Sequence, residues 1–187
     1  MADEGRFRAS GWRGREVEIP SSGRVAGPVV LELKGGLTTS FRLRAMRRSS
    51  THKSYGDEIT STYGPRARRA MLPSGYHRVE VHRVSPGKST GSGFARWKLR
   101  TLDVAELSVL TDTLSGRNDD VVFFDGPARC SFVWEGRFEG GRLRFTSVTG
   151  GIAREISAEH AIRGVVVVPG KGFLSVSTWG PWTLKRL

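Results

Sequence analysis

Hydrophobic and polar residues alternate along much of this chain. In Val29-Val30-Leu31-Glu32-Leu33-Lys34 the apolar set is Val29, Leu31 and Leu33, and in Ala128-Arg129-Cys130-Ser131-Phe132-Val133-Trp134 it is Ala128, Cys130, Phe132 and Trp134. A period of two puts alternate side chains on opposite faces of a strand with one buried side. The same period predicts strands over 15–19, 41–47, 76–84 and 94–100, then over 121–124, 142–148, 165–168, 173–178 and 182–185, with Gly, Pro and Ser between them. Phe41, Leu43 and Ala45 then point inward, leaving Arg42 and Arg44 outward, and His77 joins an inward set while His82 points out. Helix signals are few: 103–110, with Asp103 as cap, and 152–162, where Ala153, Ile156 and Ile162 roughly share a face. The expected class is all-β.

The chain also matches itself. Trp97-Lys98-Leu99-Arg100-Thr101-Leu102 and Trp182-Thr183-Leu184-Lys185-Arg186-Leu187 both read W-x-L-basic-x-L. Upstream and in the same order, 27–33 aligns with 126–132, Phe41-Arg42-Leu43 with Leu143-Arg144-Phe145, and Leu72-Pro73 with Val168-Pro169. On this alignment Val79 and Val81 match Val176 and Thr178, and one Trp closes each core. Four ordered matches predict a tandem pair of related antiparallel β-sandwiches, jelly-roll-like: a first repeat over 1–102, a connector over 103–115 and a second repeat over 116–187. Exposed sandwich edges offer a route to self-association.

Asn118-Asp119-Asp120-Val121-Val122-Phe123, then Gly126-Pro127 before an alternating strand, then Gly172-Phe173 and the closing Trp182-Thr183-Leu184 resemble bacterial jelly-roll-type accessory domains. The pre-peptidase C-terminal domains and uncharacterised actinobacterial β-sandwich repeats are examples. The resemblance covers most of the second repeat and less of the first. It implies a non-catalytic sandwich attached to or assembled with other proteins, and it assigns no functional residue.

Charge changes the picture more than size does. The 187 residues carry a formal charge of +12, with pI near 10.9. Residues 1–102 hold 20 Lys and Arg against 8 Asp and Glu, whereas 103–187 hold 10 of each. If the halves share a fold, the neutral half says that the fold does not need the excess. The densest stretch is Arg42, Arg44, Arg47, Arg48 and Lys53, then Arg66, Arg68 and Arg69, with Tyr55 and Tyr63 interleaved. It reads as a strand end followed by a long polar loop. Arginine pairs with phosphate bidentately and tyrosine stacks, so these residues are the candidate site for an acidic protein or a polyanion such as nucleic acid. A solvated basic loop without a partner is the plain alternative.

Other chemistries recede. The acidic start without an apolar run, and Val165 to Val168 as the longest aliphatic stretch, point to a cytoplasmic chain without a membrane span. One cysteine, Cys130, excludes an internal disulfide, and no His pair has metal-ligand spacing, so neither metal nor cofactor is expected. Pro86-Gly87-Lys88-Ser89-Thr90-Gly91 imitates a phosphate loop but lies between two predicted strands, where no helix N-terminus follows. Asn118, Asp119, Asp120 and Asp125, with Asp112 nearby, lack calcium-loop spacing and read as a turn. A small enzyme would need His160 or His77 in a pocket with an acid. The stronger alternative is sugar stacking on an exposed tryptophan, Trp12, Trp134 or above all Trp179 beside Gly180-Pro181.

Overall fold

The computed structural model describes residues 7–20, 27–36, 39–48, 53–62, 64–84, 96–135, 141–157 and 161–187. They form an all-β protein of two compact units, Met1–Leu102 and Asp103–Leu187.

The first unit runs β1 (Arg8–Gly11), β2 (Arg15–Glu18), β3 (Val29–Lys34), β4 (Ser40–Arg48), β5 (Lys53–Thr62), β6 (Arg68–Leu72), β7 (Arg78–Val84) and β8 (Trp97–Leu102). All its pairings are antiparallel, in two sheets ordered β1-β8-β3-β6 and β2-β7-β4-β5. This is the double Greek key of a jelly roll. Its core joins Leu31, Leu33, Leu72, Trp97 and Leu99 from one sheet to Val17, Phe41, Leu43, Val79 and Val81 from the other. His77, expected inward, is exposed, because it precedes β7 and only its carbonyl is engaged, by the Ile19 N–H at 2.8 Å.

The second unit begins with a 3-10 turn (Val104–Glu106), then β9 (Ser108–Val109), β10 (Thr113–Arg117), β11 (Asp120–Phe124), β12 (Ala128–Trp134), β13 (Arg142–Ser147), β14 (Arg154–Glu155), β15 (Arg163–Val168), β16 (Gly172–Ser177) and β17 (Pro181–Arg186). Its sheets are ordered β10-β17-β12-β15 and β14-β13-β16-β11-β9. From β10 onward this is, strand for strand, the order of the first unit, and β9 adds a short parallel edge beside β11. Residues 103–115 are therefore built into the second unit rather than linking to it. Among the described residues the two helices expected from sequence reduce to the 3-10 turn, closed by the Asp103 N–H on Glu106 Oε2 at 3.1 Å, and to the two residues of β14. Ahead of β14 stand Gly150 and Gly151 with φ of 86° and 108°, and Ile152 is 96% exposed.

Matching registers refine the alignment of the halves. Val81 lies opposite Arg15 and Leu43, and Val176 lies opposite Asp120 and Leu143. Leu43 thus corresponds to Leu143 and Val81 to Val176, two residues from the sequence alignment. A shift of two keeps every side chain on its face. The closing tryptophans sit alike: Trp97 pairs with Gly11 and its Nε1–H donates to the Arg13 carbonyl at 2.9 Å, while Trp182 pairs with Gly116 and donates to the Asn118 carbonyl at 2.9 Å. A Cβ on Gly11 would come within 2.8 Å of the Trp97 ring, and one on Gly116 closer still to Trp182. First and last strands of each unit lie side by side. Phe7 N–H donates to Thr101 Oγ1 at 3.1 Å, and Arg186 N–H donates to the Asp112 carbonyl at 2.7 Å.

Candidate functional site

The arginine-rich stretch singled out in sequence does not form one surface. Its middle is β5, the edge strand paired with β4, where sequence suggested a loop. Arg42 and Arg44 project from the outer face of the β2-β7-β4-β5 sheet, as expected, but among carboxylates. Across the strands the register sets Glu16, Glu80, Arg44 and Glu58 in one row. Arg42 Nε lies 3.4 Å from Glu58 and Arg78 lies 2.7 Å from Glu18. Arg68 and Arg69 belong to β6, in the other sheet. Arg68 faces inward and is 5% exposed, so it cannot meet a partner. Arg66 is exposed in the segment leading into β6. Tyr63 and the side chains of Arg47, Arg48, Lys53 and Tyr55 lie outside the described residues, as do the 85–93 loop and His160.

A different cationic surface emerges on the outer face of β1-β8-β3-β6. Ala9, Leu31, Leu33, Leu72, Trp97 and Leu99 pack inward, so Arg8 and Ser10 on β1, Lys98 and Arg100 on β8, Glu32 and Lys34 on β3, and Arg69 on β6 point out. One row reads Arg8, Arg100, Glu32, Arg69 and the next Ser10, Lys98, Lys34. Glu32 accepts from Arg100 Nε at 2.7 Å and Arg69 Nε at 3.4 Å. Arg96, just ahead of β8, donates to Ser10 Oγ at 2.8 Å. Among the described residues this face carries six cations and one carboxylate.

Two of its cross-strand pairs are like-charged: Arg8 opposite Arg100, and Lys34 opposite Lys98. Directly opposed like charges destabilise a sheet, each by a few tenths to about 1 kcal/mol. At the matching positions the second unit sets Thr113 opposite Lys185 and Val133 opposite Thr183. Its face carries cations too, Arg117, Arg129, Arg163 and Lys185, but each lies opposite an uncharged residue; Ser115 and Thr183 hydroxyls are 2.9 Å apart, and Val165 and Val167 are exposed on the edge strand β15. Sequence reading missed the cationic face because its members come from four strands scattered between residues 8 and 100. The legible trace was the alternation in Lys98-Leu99-Arg100 and Glu32-Leu33-Lys34.

Trp12, directly after β1, is 53% exposed, and Trp179, between β16 and β17, is 59% exposed. Trp134 is buried beside Phe132, ring centroids 5.4 Å apart, and so is no stacking platform. The acids near Asn118 are engaged within the unit: Asp119 Oδ1 accepts the Thr178 N–H at 3.1 Å, Asp120 Oδ1 accepts the Val121 N–H at 2.8 Å, and Asp125 meets Lys171 at 2.6 Å. Among the described residues no group of three or more His, Cys, Asp and Glu is placed to hold a metal ion. Burial pushes the Cys130 thiol upward, partly countered by Arg186, which leaves it a poor nucleophile. No described helix is long and apolar enough to cross a membrane.

No family model and no curated relative matches the chain. Among solved structures it is similar to the CUB1-EGF-CUB2 domain of human MASP-1/3, at 7% identity over 93% of this chain and 99% of that one, with a TM-score of 0.22.

Proposed function

We propose that this protein is a non-catalytic, cytoplasmic binding module made of two copies of one jelly roll, the first of which docks an acidic macromolecule on the outer face of β1-β8-β3-β6. The observation that carries the reading is the pair of opposed like charges, Arg8 with Arg100 and Lys34 with Lys98. Arg100 is held by Glu32, so the cost falls mainly on Lys34 and Lys98, and the second unit builds the same strand order without either pair. An anion laid across the face neutralises both pairs, so charges that cost stability in the free protein favour the complex. The shared strand order and the paired Gly–Trp contacts support descent of the two units from one module.

Retention on heparin and on nucleic acid across a salt series tests this. The full chain is expected to bind with affinity falling steeply as salt rises. Replacing Lys34, Lys98 and Arg100 together by Ser removes most of that retention, whereas replacing Arg42 and Arg44 leaves it nearly intact. A flat salt response, or equal losses from both sets, overturns the assignment. A second reading, sugar stacking, rests on the exposure of Trp179. It requires neutral oligosaccharides to quench tryptophan fluorescence and Trp179→Ala to abolish the quenching.

A further inference from the structure

Resting on that reading of the cationic face, we infer that its ligand is a single-stranded nucleic acid, with Trp12 as the platform for a base. Three features narrow the chemistry. The cations are set out as a lattice on a sheet: Lys98 and Arg100 alternate along β8, Arg8 and Ser10 along β1, at about 6.7 Å per two residues and about 4.8 Å between strands. A sheet face of this kind suits a chain lying across it and gives a backbone several successive phosphate contacts.

The second feature is where the aromatic group stands. β1 carries Arg8 and Ser10 outward, and Trp12 follows its last residue, Gly11, at the end of the sheet where Arg96 meets Ser10. Trp12 is 53% exposed. The fold does not ask for an indole there, because the corresponding residue of the second unit, one beyond Gly116, is Arg117. An exposed aromatic beside a basic track provides what an unpaired base needs, a π surface next to phosphate ligands.

Third, four of the six cations, Arg8, Arg69, Arg96 and Arg100, are arginines. A planar guanidinium meets phosphate bidentately and stacks on a base, which an ammonium does not. Duplex DNA buries its base faces in the stack, and so would engage the cations without the indole.

The test uses the full-length chain and four probes at matched salt: oligo(dT), oligo(U), a duplex of equal length, and heparin, with fluorescence anisotropy and tryptophan quenching as readouts. The expected result is single-strand binding at least about tenfold tighter than duplex binding, with quenching on saturation. Trp12→Ala then weakens oligo(dT) or oligo(U) about tenfold while leaving heparin retention unchanged, and Trp12→Phe restores most of the loss. An unchanged thermal melt of each variant certifies its fold. Equal affinity for single strand and duplex, or indifference of oligo(dT) and oligo(U) binding to Trp12→Ala, overturns this inference but leaves the anion-binding face standing. Failure to bind any of the four probes overturns both. A preference for oligo(U) over oligo(dT), or the reverse, assigns the ligand to RNA or DNA within the supported outcome.

Discussion

Where the first unit sets Lys34 against Lys98, the second sets Val133 against Thr183, on strands with the same order and register. The second unit acts as a built-in control. It carries 10 basic and 10 acidic residues and forms the same eight-stranded arrangement without opposed like charges on this face, so those pairs in the first unit are not a requirement of the jelly roll. Within the first unit the opposite sheet repeats the lesson, since its arginines are interleaved with Glu16, Glu58 and Glu80. Net charge alone would have spread the basic character over the unit. Among the described residues the strand registers instead leave one face with a single carboxylate, Glu32, among its cations.

The largest effects should fall on what the units share. Trp97→Ala and Trp182→Ala each remove a buried indole and its hydrogen bond to the β1–β2 or β10–β11 turn, and each should cost about 3–5 kcal/mol by chemical denaturation. A small loss at one site and not the other would break the equivalence. Gly116→Ala comes next, at about 1–3 kcal/mol from overpacking. It should exceed Gly11→Ala, because the indole of Trp182 approaches its glycine more closely.

A smaller effect sharpens the difference between the cores. Leu33 lies opposite Arg68, and the matching pair is Phe132 opposite Gly164, where a Cβ would stand 2.9 Å from the phenyl ring. Leu33→Phe alone should be poorly tolerated, and adding Arg68→Gly should recover about 1 kcal/mol of coupling in a double-mutant cycle. Smallest is Lys98→Thr, which copies the second unit's residue. It should raise stability by up to about 1 kcal/mol as one like-charge pair disappears, while weakening retention on heparin. Loss of stability together with loss of binding would give Lys98 a structural role instead.

Much of the architecture was legible in sequence wherever alternation was apolar. The inward residues of β3 and β12 and the two closing tryptophans are core residues. The missed strands include the polar ones. In β5 the apolar signal is Ile59 alone, and the strand instead turns Thr60 and Thr62 inward, with Thr62 Oγ1 accepting the Phe41 N–H at 3.3 Å. Hydroxyls satisfied by backbone leave no hydrophobic trace. β10 was hidden by Gly116, which reads as a linker residue and serves as the seat for Trp182. The cationic face was the least legible part, because a row such as Arg8, Arg100, Glu32 and Arg69 exists only after four strands have paired.

In each unit the strand that starts the jelly roll is hydrogen-bonded to the strand that finishes it, as in the pairing of Thr113 with Lys185. Entry and exit points that meet make the module indifferent to where its covalent chain is opened. A circular permutant of the second unit, cut in the exposed bend at Asp125–Gly126 and rejoined between its original ends, should keep the same strand neighbours. The same geometry allows such a module to be strung head to tail without rearranging its interior.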